Sequence, residues 1–484
     1  MPCSAGDTHR LKSSFVTAGT MNLVDRLQDP QLVADFQRLF GVRRKSCKRG
    51  VARDASEGQE GSGTSRENLL DRYLGDQRHQ NESMTQRRCQ QLPVPDVHHK
   101  THIRQGSTAS VASDCSTGSG RSWMEKLLGE NTGGTEGSMG EEEEEGGGSD
   151  YEIDNRFWYH MFSLATAIGG EIFYSIFFCF WAWNVDGAVL RRVIVIWMIT
   201  MYIGQALKDI LKVPRPACPP VVRLDPKWAL EYGLPSTHAM VGAAMPFSIL
   251  ILTLNRYQLD WGWGLAIATT WCLLVCLSRL YLGMHSVLDV LCGLVLVTGL
   301  LVLILPWVDV LDHLALTHPA SPLLTITLTI AMVVCYPATD RWTPARGDTT
   351  VIVGVGCGSL LGSWLNYQLG ITREPTLPPP YTVIWPTLNM AGLSLLRTIL
   401  GLVVIVAVKA IFKALSFATI CALLQVKAED YVNKTGSLTS RHRLIVELFY
   451  KFITYIAIGF TIAYTGPLAF RLIGIERPTF YTEV

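Results

Sequence analysis

Ser278, Arg279, His285 and Asp289 stand in the order S-R-x5-H-x3-D at the junction of two apolar runs, 262–282 and 286–307. Ionisable groups at membrane depth are costly, and those a chain keeps there are usually functional. With 286 onward helical, His285 and Asp289 are four residues apart and face the same way. The carboxylate can then accept a hydrogen bond from one imidazole nitrogen. The other nitrogen keeps its lone pair and can act as a nucleophile. Arg279, near the end of the preceding run, carries a planar fork suited to two oxygens of a phosphate.

Two further stretches aim at the same chemistry. Lys208 and Arg215 are seven residues apart, two helical turns, so both can point at one spot, with Pro214 and Pro216 ending the helix between them. Pro235-Ser236-Thr237-His238 directly precedes the apolar run 239–254. Ser236 is placed as an N-cap, the free N–H groups of the new helix make an anion site, and His238 can donate a proton. Singly, each residue has an ordinary explanation: a basic side chain anchoring at headgroup level, a helix cap, a structural His–Asp bond. All three groups in order, each at the edge of an apolar segment, share one explanation, a phosphate site.

Together, K-x6-R-P, P-S-x-H and S-R-x5-H-x3-D resemble the three-part signature of the type 2 phosphatidic acid phosphatase superfamily. The flanking text is Pro214-Arg215-Pro216-Ala217, Pro219-Pro220-Val221-Val222, Pro235 to Met240, Cys276-Leu277-Ser278-Arg279 and Gly283-Met284-His285-Ser286. It is similar to that of the sphingosine-1-phosphate phosphatases, over roughly residues 155–475 and a short piece at Leu27-Gln28-Asp29-Pro30. Thr237 stands where many superfamily members carry Gly. The resemblance implies metal-independent hydrolysis of sphingosine-1-phosphate or dihydrosphingosine-1-phosphate in two steps. His285, oriented by Asp289, attacks phosphorus and becomes a phosphohistidine, while His238 protonates the departing alkoxide and later takes a proton from water. Lys208, Arg215, Ser236, Thr237 and Arg279 hold the phosphoryl oxygens. No cofactor is implied, and no carboxylate cluster able to hold a metal accompanies the motifs. The resemblance also implies a multi-pass protein of the endoplasmic reticulum membrane, with its site at the lumenal face.

Three other readings compete, of which a catalytically dead lipid-binding relative is disfavoured because every motif position the chemistry needs is present. A broad lipid phosphatase acting on phosphatidate or lysophosphatidate would use the same chemistry. A transporter could line a polar path with Glu171, Lys208 and Asp289, but no internal repeat or pair of broken helices in corresponding halves speaks for it. Glu171, in the middle of the first apolar run, suits either contact with a substrate amino group or a bond to a neighbouring helix.

The elements that must position these residues are membrane helices. The chain is 484 residues long and 48% hydrophobic, an average over two unlike parts. Residues 1–150 are polar, with Gly/Ser-rich text at 61–65 and the acid run Glu141 to Glu145. The stretch 50–150 has too little apolar content to offset the entropy of ordering, so it is expected to be disordered. Within this part, residues 30–40 form a short amphipathic helix: Asp29 caps, Pro30 opens it, Leu32, Val33, Phe36, Leu39 and Phe40 share a face, and Gly41 ends it. Basic residues follow from Arg43 to Arg49, so the helix either lies on an anionic membrane surface or docks on the rest of the chain.

A bilayer core of about 30 Å needs ~20 apolar residues per helix. The qualifying runs are 157–182, 188–211, 239–255, 262–282, 286–307, 322–338, 349–369, 396–424 and 446–474. The expected fold is therefore all-α, a polytopic membrane bundle of about nine transmembrane helices behind a disordered polar tail. Its catalytic membrane core is 151–310, and 311–484 adds C-terminal transmembrane helices. Lys409 and Lys413 interrupt 396–424, which suggests a shorter span followed by an interfacial helix. Counting crossings puts loops 212–238 and 283–285 on one side, with the N-terminal tail. Basic residues are too evenly divided between the two sides to orient the bundle. The glycosylation sequons at Asn81 and Asn433 fall on the site side.

The substrate is membrane-borne, since the motifs lie where a lipid headgroup would. The net charge of +1 says nothing about nucleic acid, and no basic patch with interleaved aromatics suggests it as a partner. Cysteines in apolar runs are expected to be free, and Cys272 and Cys276 have no acidic or His companion to make a zinc site. No cleavable signal peptide is visible at the polar N-terminus, so the first apolar run directs insertion. Nothing in the sequence sets an oligomeric state.

Overall fold

The computed structural model describes residues 23–45, 151–225, 231–339, 343–426, 431 and 440–484. The stretch expected to be disordered and both sequons lie outside these residues.

Helix α1, Pro30–Leu39, starts where expected: the Asp29 side chain accepts from the Gln31 N–H at 2.8 Å, and Pro30 opens the first turn. Of its two readings, docking is the one observed. Val33, Ala34 and Gln37 are buried, and Phe36 and Phe40 pack against Phe162. The Gln37 amide donates to the carbonyls of Val222 (2.6 Å) and Tyr281 (2.8 Å), and its oxygen accepts from the Val222 N–H (2.9 Å). One side chain thus saturates backbone from two loops that would otherwise be buried without partners. A short antiparallel pair follows, β1 (Val42–Arg44) with β2 (Tyr151–Ile153).

The first apolar run is not one straight helix. It divides into α2 (Arg156–Ile168) and α3 (Glu171–Asn184), bent by 56° at Gly169-Gly170. Glu171 therefore opens the first turn of α3, where a carboxylate complements the helix dipole. It is not in the middle of a continuous span, and it shares its surroundings with Asp348 and Tyr455.

Then come α4 (Gly187–Leu211), α5 (Thr237–Arg256), α6 (Trp261–Tyr281), α7 (Val287–Thr317), α8 (Ser321–Val334), α9 (Pro344–Gln368), α10 (Leu388–Leu424) and α11 (Ser440–Phe460). A π turn, Thr461–Thr465, continues α11 into α12 (Gly466–Ile473). Among the described residues, seven helices are long and apolar enough to cross a membrane, and the bent α2–α3 pair brings the number to eight if it is one broken span rather than a re-entrant loop. The ninth expected segment contains α8, whose 14 residues reach about 21 Å at 1.5 Å per residue, short of a bilayer core. It still carries the chain between the two ends of the bundle. Ser321 bonds to Ala315 at one end, and Tyr336, just past α8, bonds to Asp209 beside Lys208 at the other. The segment 396–424 differs from expectation, since α10 is one continuous 37-residue helix with Lys413 buried.

Helices α3, α4, α5 and α7 share the main apolar core, which includes Val193, Ile196, Met240, Met245 and Val297. Large apolar side chains such as Val295, Val302, Leu303 and Trp307 face outward, as in a helix bordered by lipid. At the end away from Lys208, Arg191 grips Asp312 with two bonds of 2.6 and 2.8 Å, and Arg256 reaches Asp186 at 2.8 Å. Glu483 near the C-terminus accepts from Arg477 (2.7 Å) and from the Gly187 N–H (2.8 Å). That end is clamped by paired charges, and the other holds the site.

Candidate active site

Four helix ends converge to make the site. Lys208 lies in the last turn of α4 and is buried; its Nζ donates to Thr237 Oγ1 and to Glu231 Oε2, each at 2.9 Å. Arg215 follows beyond the helix end. Its Nε donates to the Glu231 carbonyl at 3.0 Å and Nη1 to the Met284 carbonyl at 2.7 Å. Its Nη2 lies 3.6 Å from Glu231 Oε2.

Ser236 caps α5 as expected, accepting from the Ala239 N–H at 3.4 Å. Its own N–H donates to the Asp289 carbonyl at 3.0 Å and so ties the start of α5 to that of α7. A close approach at Gly233 makes this possible: a Cβ there would lie 3.1 Å from Asp289 Oδ2 and from the Pro214 carbonyl. Arg279, in the last turn of α6, and His285, in the loop after it, are both 0% exposed.

The link between α6 and α7 turns at Gly283, with φ +68°, and presents His285 just before the cap of α7. Ser286 and Asp289 form a capping box: Asp289 Oδ2 accepts from the Ser286 N–H at 2.8 Å, and Ser286 Oγ accepts from the Asp289 N–H at 3.2 Å. His285 Nδ1 faces the same Oδ2 at 3.6 Å. At that distance the predicted hydrogen bond is not closed, and the same oxygen is held by the cap. The other ring nitrogen, Nε2, lies 3.3 Å from Arg215 Nη1. A guanidinium can only donate, so Nε2 accepts and the ring proton belongs on Nδ1, toward Asp289. Burial, with Arg215, Arg279 and Lys208 around it, pushes His285 well below the ordinary imidazole value. A neutral ring whose Nε2 keeps its lone pair, here turned toward Arg215, has the form a nucleophile needs.

His238, in the first turn of α5, is half-buried, and its charge environment is that of the same three cations. The two histidines also act on each other through space. The His238 ring edge faces the α2–α3 break, 3.5 Å from where a Cβ on Gly169 would stand. Beside that break opens an apolar groove of about 440 Å³, lined by Ala165, Ile168, Phe173, Trp271 and Val275 among others.

The fold thus brings Lys208, Arg215, Ser236, Thr237, His238, Arg279, His285 and Asp289 to one place. Asp209 turns away, bonding Tyr336 at 2.9 Å and Thr343 at 3.3 Å. Among the described residues no three His, Cys, Asp or Glu side chains group as metal ligands would; Lys208, Arg215 and Arg279 surround His285 with positive charge.

Arg279 stands apart in its bonding. Its Nε, Nη1 and Nη2 are all buried and none has a hydrogen-bond partner among the described residues. A buried guanidinium left in that condition is expensive. An anion with several acceptor oxygens would satisfy it.

Sequence reasoning missed two residues here. Glu231, 5% exposed, is held ionised: burial opposes its charge, but Lys208 and Arg215 outweigh that and lower it below the ordinary carboxylate value. A lone Glu in a loop carries no spacing signal. Gln37 braces the Val222 and Tyr281 backbones from nearly 200 residues away in sequence, which no local pattern announces. The capping box also went unread, although Ser286-x-x-Asp289 before an apolar run is its local signal.

Residues 189–312 match the PAP2 superfamily. The mouse (Mus musculus) sphingosine-1-phosphate phosphatase 1 is 35% identical over 455 residues, covering 94% of this chain and 98% of that protein. Mouse sphingosine-1-phosphate phosphatase 2 is 39% identical, covering 68% of this chain and 92% of its own length. The human (Homo sapiens) sphingosine-1-phosphate phosphatase 2 is also 39% identical, over 67% of this chain and 80% of its own. No solved structure matches the chain. Identity of this extent, on a membrane bundle whose helix ends gather all three motifs, places the chain in the sphingosine-1-phosphate phosphatase family of the PAP2 superfamily.

Proposed function

We propose that this chain hydrolyses sphingosine-1-phosphate and dihydrosphingosine-1-phosphate to the sphingoid base and inorganic phosphate, through a phosphohistidine on His285, in the endoplasmic reticulum membrane. The observation that carries the reading is the buried, unpartnered guanidinium of Arg279 beside a neutral His285. Arg279, Lys208 and Arg215 receive the phosphoryl oxygens with Ser236 and Thr237 at the start of α5, and offset the charge that grows in the transition state. Arg215 Nη1 turns from His285 Nε2 to a phosphoryl oxygen, freeing the lone pair.

Nε2 attacks phosphorus, the P–O bond to the lipid breaks, and His238 gives its proton to the departing alkoxide. His238 then takes a proton from water, whose oxygen attacks phosphorus and displaces His285. Asp289 faces the Nδ1–H and supports the positive charge the ring acquires. The groove beside His238 would receive the hydrocarbon tail. The two substrates differ only in that tail, so one headgroup site serves both. We assign catalysis to 151–310, in keeping with the superfamily match, with 311–484 as added helices that brace it through Tyr336 and Thr343.

The test is phosphate release from sphingosine-1-phosphate by the detergent-solubilised protein in excess chelator, wild type beside His285→Ala. Activity that survives chelation and disappears in the variant supports the proposal. Activity lost on chelation, or a variant as active as wild type, overturns it.

A further inference from the structure

Among the described residues Glu231 is the one carboxylate that pairs directly with the phosphate-binding cations, and the proposed reaction has no step for it. Its Oε2 engages Lys208 at 2.9 Å and lies 3.6 Å from Arg215 Nη2, while Arg279 also acts on it. Its Oε1 is buried with no hydrogen-bond partner among the described residues. Half of an ionised carboxylate beside the phosphate-binding cations is thus left without a protein donor among the described residues.

Filling the site sharpens the problem. When a phosphate bearing nearly two negative charges takes Lys208 and Arg215, it draws away the cations that stabilise Glu231 and places a second anion beside it. Like charges at such a distance repel strongly in a water-poor site. A cation that arrives with the phosphate removes the conflict. In a sphingoid-base phosphate the ammonium is on the carbon next to the phosphorylated one, so it reaches the immediate neighbourhood of the phosphoryl oxygens.

We propose that Glu231 reads this ammonium: Oε1 accepts its N–H and so sets the preference for amine-bearing lipid phosphates over amine-free ones. The inference rests on the proposed reaction. It gives Glu231 two effects, attraction for the zwitterionic headgroup and repulsion of a phosphate that comes without a positive charge. It also moves ammonium recognition away from Glu171, whose surroundings are Asp348 and Tyr455.

The experiment is a cycle over enzyme and substrate. kcat/KM is measured for sphingosine-1-phosphate and for its analogue with hydroxyl in place of the amine, with wild type, Glu231→Gln and Glu231→Asp, in matched micelles. Wild type should prefer the amine by about 30-fold or more, the range for a buried charge pair losing one partner. Glu231→Gln should collapse that ratio toward one, while Glu231→Asp, which keeps the charge, should retain part of it. A parallel fall on both substrates with an unchanged ratio would reduce Glu231 to a prop for Lys208 and Arg215 and overturn the proposal. So would a wild type that turns over both substrates equally, a result that needs no variant to fold. A wild type with no turnover of sphingosine-1-phosphate would instead sink the proposed reaction.

Discussion

Replacing Gly283 by Ala tests how the α6–α7 turn delivers His285. Gly283 has φ +68°, a left-handed conformation that costs a residue with a Cβ about 1–2 kcal/mol. The added methyl would also lie 2.2 Å from the Val222 carbonyl oxygen, 2.7 Å from Val221 Cγ1 and 2.9 Å from Gln37 Nε2. Carbon–oxygen contacts settle near 3.3 Å, so a gap of about 1 Å must open against backbone. The Val222 side is pinned through Gln37 to α1, so the displacement goes largely to Met284 and His285. Met284 O carries the bond from Arg215, and His285 must meet phosphorus in line. A misplacement of about 1 Å costs about 100-fold in rate, or about 2.7 kcal/mol at 1.36 kcal/mol per factor of ten. The assay is kcat/KM for phosphate release with the melting temperature of the same preparation. Gly283→Ala should lose about 100-fold in kcat/KM with a smaller loss of stability. Activity within threefold of wild type would refute the claim that this turn sets the position of His285.

Two further outcomes follow from the same geometry. Arg279→Lys keeps the charge but loses the fork, and should lower kcat/KM by roughly 100- to 1,000-fold, with weaker competitive inhibition by inorganic phosphate; full activity would remove Arg279 from the phosphate site. Because burial and three cations depress His285, its neutral form persists below the ordinary value of 6.5. The acid limb of the kcat/KM profile should therefore lie below pH 6.5, and a limb at or above that value would contradict the neutral, buried nucleophile.

What could be read from sequence and what could not divide along physical lines. The eight residues that the fold gathers at the candidate site drew notice in the sequence because each sits at or near the edge of an apolar run, where polar residues are conspicuous. Ser236 was visible also because capping is local, decided within three or four residues. The bend in the first span has a local cause too, Gly169-Gly170 followed by Glu171, but the apolar count ran across it and took the run as one helix. Lys413 misled in the opposite sense. A charge inside an apolar run suggests an interruption, yet burial against other helices lets α10 continue through it.

Glu231 and Gln37 belong to another class. Their roles exist only after the loops around 222 and 283 have been folded against α1 and α4, and neither side chain has a periodicity that anticipates it. They also show why three cations can be buried together. In the bonding seen here, Glu231 offsets two of them, Lys208 and Arg215, and Gln37 holds the loop backbones that keep Arg215 and His285 apart from solvent. Of the three, Arg279 alone has no hydrogen-bond partner among the described residues. Its planar fork acts on the nucleophile, and there an incoming phosphate gains the most.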